Sequence, residues 1–422
     1  MSLIKQNIST LGAVFGCVIA LLALWLYSLN MASYPSLSYF GHFKPIGGDF
    51  FQFWAAAKLT VNGMAEGAYQ AQLITSAIYD VFKPEAGYLF TPLYYPAHYL
   101  LLIAPLGLLP FFPALIAFFT FTLTVFMTGV WLWTRSIKIT LLMLCFSAIW
   151  LNLVTGQNGL LTAGLWLIAL RFLTQRPAIA GICFALLTIK PHLGIFIPIA
   201  LIAGGHWRCF KYSLFGWLGL TALSMAAFGA ITLFYSLFST LSASTILATQ
   251  TKLLLRIPSF FSFSRLSEMD AALLSFTPLN ITPHGLSLIL QLLLIVLLAV
   301  LVARVWRKSK NHLLNCAVLA SATLLGVPFL YDYDTALLIV PILALGLEAQ
   351  RTGWKNYEFA LLPTAMIWPM AINHLPYKFF AQIGFILPLL LLLASLNRLK
   401  DEKKSKNLTV ARPAQDRLNK AV

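Results

Sequence analysis

A chain of 422 residues that is 59% hydrophobic and only 10% charged, with a mean hydropathy of +0.82, excludes a soluble globular protein with a wetted surface. Its formal net charge of +16 would point to nucleic acid in a soluble protein. Here the basic residues fall in short connections between apolar runs, "RSIK" (135–138), "HWRCFK" (206–211), "RVWRKSKNH" (304–312) and "RTGWK" (351–355), and in the tail from Asn397. The positive-inside rule and anionic lipid account for such clusters, and no nucleic-acid partner is expected.

The first apolar run, Leu11 to Leu29, is long enough to cross ~30 Å of hydrocarbon and lacks a small-x-small cleavage site, so it reads as a retained helix leaving the cytoplasm. An outer loop follows over about 34–90. It carries "PIGGDFFQFWAAAKL" (45–59), in which a short amphipathic helix starts at Asp49 and lies along the interface on its aromatic residues. The segment 92–133 reads as two helices broken at "PLGLLPFFP", and a re-entrant first half followed by one full span reconciles it with the charge rule. Ile139 to Leu173 makes an out-and-back pair with its tip at "TGQNG", and Ala178 to Gly205 a second with its tip at "IKPH".

Tyr212 to Phe238 leads out again, a second outer loop covers about 239–283, and Leu286 to Val305 returns. Leu313 to Leu330, Thr335 to Glu348, Phe359 to Ile372 and Phe379 to Leu396 complete the path, placing both termini in the cytoplasm. The expected fold is an all-α polytopic membrane protein of about 12 spans (range about 11 to 13). It forms one domain over residues 1–396, followed by a basic tail, 397–422, expected to be disordered. The five cysteines are scattered without CxxC or CxxH spacing, so neither a disulfide framework nor a zinc site is indicated.

On this path the outer side collects polar groups at the mouths of apolar runs, where such residues are expensive and mark function. They are Asp49, Gln52, Tyr95, His98, Gln157, Asn158, Lys190, His192, Tyr331, Asp332 and Asp334. Asp49 reads either as a helix cap, with Gln52 reaching back to complete a capping box, or as a partly desolvated carboxylate suited to general-base work. Lys190 could snorkel to headgroups or meet a lipid phosphate. Asp332 and Asp334 could ligate a metal through oxygen or accept hydrogen bonds from sugar hydroxyls. "TGQNG" also fits a plain turn, and His98 an interface histidine. Lys252, Arg256 and Arg265 are loop charges or phosphate contacts. A P-loop, a GxSxG elbow, HExxH and a dinucleotide fingerprint are missing, which removes soluble nucleotide chemistry.

The order of "GGDFFQFWAAAKLTVNGMAEGAYQ", "YYPAHYLLLIAPLGLLP", "GQNGLL", "AGICFALLTIKPHLGIFIPIALIAGGHWR" and "PFLYDYDTALLIVP" over about residues 10–345 resembles bacterial glycosyltransferase family 87. Ala97 stands where that family usually has a second proline. The resemblance implies a GT-C type fold and transfer of a hexose, mannose in known members, from a polyprenyl phosphate sugar. It also implies an outward-facing site under the first loop, in which Asp49 is the catalytic base and Lys190 and "YDYD" share the cavity. The implied partners are that donor, a glycolipid, glycan or protein acceptor, and the bilayer of a bacterial plasma membrane. No metal or other cofactor is expected, because the departing phosphate is a weak base. A transporter or flippase of lipid-linked sugars is the competing reading.

Overall fold

The computed structural model describes residues 47–81, 90–249, 254, 256–266, 283–374 and 383–418. The expected first span, Leu11 to Leu29, lies outside them, as do parts of both outer loops and Lys252. The described residues are helical, joined by turns, with no strand among them. Helix α1 (Phe50–Val61) is followed by a 3₁₀ turn and α2 (Ala71–Tyr79). The short α3 (His98–Ile103) continues as a 3₁₀ turn to Leu108 before α4 (Phe111–Thr134), which is the break expected at "PLGLLPFFP". Next come α5 (Ile137–Leu142), α6 (Ser147–Thr155), α7 (Gly159–Phe172), α8 (Pro177–Leu186) and α9 (Ile197–Ala203). The long α10 (Trp207–Thr249) turns at Gly229, and α11 (Phe260–Leu266), α12 (Pro283–Lys308) and α13 (His312–Gly326) follow. The chain ends in α14 (Ile339–Thr352), α15 (Glu358–His374) and α16 (Ile386–Leu418).

Two populations of helix differ in what surrounds them. α10 and α12 are apolar all round yet leave Phe215, Phe234, Phe238, Leu293 and Leu297 exposed, which is stable only if hydrocarbon is the solvent on that side. α7 and α13 are equally apolar but enclosed, with every residue of α13 from Leu314 to Gly326 buried. Part of the expected set of about 12 spans is found. Among the described residues three helices are long and apolar enough to cross a membrane, Phe111–Thr134, Trp207–Ser242 and Gly285–Lys308; a fourth is reached if the pair Ile137–Cys145 and Ser147–Thr155, bent by 55°, counts as one span. Of the shorter apolar helices, Gly159–Phe172 and His312–Gly326 are largely enclosed by protein, and hydropathy cannot tell such helices from lipid-facing ones.

Two further expectations change. α1 does not lie along an interface. Phe50, Phe51, Phe53, Trp54 and Leu59 are all buried, with Phe51 and Trp54 packed on Phe111 at ring distances of 4.1 and 5.7 Å; only α2 keeps one buried face, Ile74, Ala77 and Ile78. The tail expected to be disordered continues as helix to Leu418. Its start is anchored by Arg398, buried against Glu358, and by Lys355 on Asp401 at 2.5 Å.

The inner helices pack through small residues. A Cβ on Gly164 of α7 would lie 2.8 Å from the backbone of Phe126 in α4, so the glycine sets how closely the helices approach. The Trp133 indole N–H donates to the Leu167 carbonyl at 2.8 Å across the same contact.

Candidate active site

The site is built on two interlocked turns. In "GGD", Gly47 and Gly48 take φ of +97° and +46°, a region open to glycine and costly for other residues. In "TGQNG", Gly156 ends α6 at φ +68°. The turns meet backbone to backbone: the Asp49 N–H donates to the Thr155 carbonyl at 2.8 Å, and a Cβ on Gly156 would stand 1.7 Å from the Gly47 oxygen. Gly156→Ala is therefore expected to cost about 1–2 kcal/mol for its left-handed φ and a further ~1–3 kcal/mol for overpacking. Gly205→Ala, at φ +72° with nothing within 4 Å of its Cβ, isolates the first cost. Equal melting shifts for the two variants in detergent would refute the interlock.

This contact sets the direction of Asp49. Its side chain makes no cap hydrogen bond, and Gln52 donates instead to the Thr91 hydroxyl at 2.7 Å; the capping-box reading is corrected. The half-buried Asp49 carboxylate accepts at Oδ2 from Gln157 Nε2 at 2.7 Å. Gln157 Oε1 in turn lies 3.2 Å from the Tyr95 hydroxyl, which is 3.3 Å from Asn158 Oδ1. "TGQNG" is thus both a turn and part of the site.

"YDYD" reaches the same place through Asn152. Its amide, wholly buried, donates to the Ala148 and Tyr333 carbonyls at 2.9 and 3.0 Å, while its Oδ1 accepts from the Gly159 N–H at 2.7 Å. Asp332 and Asp334, the candidate metal ligands, face different cations. Arg256 meets Asp332 through Nε at 3.3 Å and Nη2 at 3.4 Å, and Lys190 Nζ donates to Asp334 Oδ1 at 2.6 Å.

Lys190 does not snorkel. Pro191 cannot continue the helix before it, and the side chain turns inward to 4% exposure, with its ammonium 4.5 Å from the Tyr333 ring and 5.9 Å from that of Tyr95. Those rings stack on Tyr331 and Tyr99 at 5.2 and 4.4 Å, so the cation sits between two aromatic pairs. Asp49 is within electrostatic reach of both Lys190 and Arg256.

Most of the expected site residues converge, in two layers. Asp49, Gln52, His192 and Tyr331 are at least partly exposed, whereas Tyr95, Gln157, Asn158, Lys190, Asp332 and Asp334 are buried. His98 is buried on the Thr188 hydroxyl at 3.1 Å. In the buried layer Asp334 Oδ2, Asn158 Nδ2 and the Tyr99 hydroxyl have no hydrogen-bond partner among the described residues; His192 Nε2, at 3.9 Å from Asp334 Oδ2, is beyond hydrogen-bond length. Orphaned buried polar atoms are costly, and a polyhydroxyl ligand is a group that satisfies donors and acceptors together. Sequence reasoning noticed Arg256 as a loop charge or a phosphate contact, without its partner Asp332, and overlooked Asn152 and Tyr333. Arg256 carried no local signal, because its carboxylate is 76 residues away.

Residues 93–341, more than half of the chain, match the family model described as glycosyltransferase family 87. No curated protein matches, and neither does any solved structure. The matched region includes Tyr95, Gln157, Lys190, Arg256 and "YDYD" and begins after Asp49, so Asp49 joins the site through its contacts alone.

Proposed function

We propose that this chain, which belongs to glycosyltransferase family 87, moves a hexose, mannose in the first instance, from a polyprenyl phosphate sugar to an acceptor hydroxyl, with Asp49 as general base. The observation that carries the reading is the half-exposed Asp49 carboxylate, which accepts from Gln157 Nε2 while its own backbone N–H is fixed on the Thr155 carbonyl. As the acceptor oxygen attacks the anomeric carbon, its proton passes to Asp49 and the bond from that carbon to the phosphate oxygen breaks. The electron pair leaves with polyprenyl phosphate, whose oxygen is a weak base needing no proton. A single displacement inverts the anomeric configuration.

Charge developing on the leaving phosphate needs a fixed cation. Lys190 is already engaged with Asp334, so the proposal moves this role to Arg256. Asp332 occupies its Nε and Nη2, and the other edge of the planar guanidinium suits a phosphate. The sugar then lies over the tyrosines, its hydroxyls meeting Asp334, Asn158 and Tyr99.

The proposed orientation is outward from a bacterial plasma membrane, with both termini cytoplasmic. It is supported by the gathering of the two tips and "YDYD" at one end of α13 and of Asn311, Glu348, Lys355 and Asp401 toward the other, a basic end that the positive-inside rule assigns to the cytoplasm.

The test is release of polyprenyl phosphate by the purified protein given a polyprenyl phosphate hexose and envelope glycolipid. Release coupled to a product one hexose larger is expected, with Arg256→Lys raising the donor KM about tenfold by losing the planar contact, ~1.4 kcal/mol. Movement of intact donor across vesicles without release would replace the transferase by a transporter.

A further inference from the structure

At the end of the molecule away from Asp49 lies a groove that the transfer reaction does not use. The fifteen residues of α13, about 22 Å at 1.5 Å each, separate the "YDYD" end from the Asn311 end, and α14 runs back along them to Thr352. Beyond it α15 and α16 lie side by side and enclose a groove of about 530 Å³ lined by Ala360, Leu361 and Thr364 on one helix and Leu387, Leu390 and Ala394 on the other. The spacing places each set on one helical face.

Three observations identify its occupant. The groove runs along α16 from Leu387 to Asn397, about 15 Å at 1.5 Å per residue, half of a ~30 Å hydrocarbon core and so one leaflet deep. It is preformed: Arg398 donates to both Glu358 oxygens at 2.5 and 2.6 Å and to Thr352 Oγ1 at 2.7 Å, tying α16 to the start of α15. Its polar end, where Asn397 donates to the Tyr357 hydroxyl at 3.3 Å, opens onto basic residues. The same face of α16 continues into the exposed Lys400 and Lys404, three and seven residues past Asn397, and Lys355 reaches across to Asp401. Exposed Trp354 marks the headgroup level.

We propose that this groove holds one acyl chain of an anionic phospholipid from the leaflet at the basic end, with its phosphate on Lys400 and Lys404. The polyprenyl phosphate donor is not the occupant argued for, because a phosphate at this end stands a helix length from Asp49.

The experiment is native mass spectrometry of the purified full-length protein, titrated in detergent with phosphatidylglycerol or phosphatidylcholine. One retained phosphatidylglycerol is expected, preferred over phosphatidylcholine by about tenfold or more, since each lysine near a headgroup contributes roughly fivefold. Lys400→Gln/Lys404→Gln, altering two exposed side chains, should bring the preference close to unity. Ala394→Phe, which fills the groove, should abolish retention of both lipids. Equal retention of the two lipids by the wild-type protein overturns the proposal, as does an unchanged preference in the double lysine variant. Displacement of phosphatidylglycerol by equimolar polyprenyl phosphate overturns the choice of a phospholipid.

Discussion

Asp49→Asn is expected to lower kcat by about 10²–10⁴-fold, the range a positioned general base contributes, while changing donor KM and thermal stability little. Asparagine keeps the shape of aspartate and an oxygen able to accept from Gln157 Nε2, which now lies 2.7 Å from Oδ2. The backbone bond from residue 49 to the Thr155 carbonyl is independent of the side chain, so the two turns stay locked. What is lost is the capacity to take the acceptor proton. Single-turnover transfer measured on wild type and Asp49→Asn, with melting curves for both, separates chemistry from folding. A well-folded variant that transfers at the wild-type rate would remove Asp49 from catalysis and leave the family assignment, which rests on residues 93–341, untouched.

The second large effect concerns the floor of the site. Lys190→Met leaves the Asp334 carboxylate, 1% exposed, without its cation. Breaking a buried pair from one side costs about 3–5 kcal/mol, and Asp334→Leu should cost about as much by stranding the ammonium. The double variant Lys190→Met/Asp334→Leu should recover most of that stability, because two apolar side chains of similar volume replace the pair. Melting temperatures of the three variants in detergent measure this coupling. Had Lys190 served chiefly to bind a phosphate, its replacement would raise donor KM with little loss of stability, and the double variant would show no recovery. Additive losses in the cycle would therefore refute the pairing as the reason Lys190 is buried.

Much of the molecule was legible before any contact was known. Apolar runs and basic connections identify a membrane protein because hydrocarbon admits few charges, and that signal is carried residue by residue. The tips "TGQNG" and "IKPH" and the motif "YDYD" stood out as polar groups at the mouths of apolar runs, and the order of motifs pointed to the family. Which apolar helices are interior was not legible. α13 and α12 have similar composition, yet one is sheathed in protein and the other faces outward; composition records the dislike of water, not whether protein or lipid replaces it.

The roles of individual polar residues followed the same divide. Asp49 with Gln52 looked like a local capping box, but the carboxylate turned to Gln157, 108 residues away. Lys190 looked like a lone cation, but its partner is 144 residues distant, and Arg256 acquired importance only beside Asp332. The amino-acid sequence by itself determined the solvent, the helical class, the family and which polar residues are out of place in hydrocarbon, since transfer free energy and turn geometry are local properties. The tertiary structure alone decided which helices are interior and which charge meets which, because ion pairs and interlocked turns depend on distances between segments far apart in the chain.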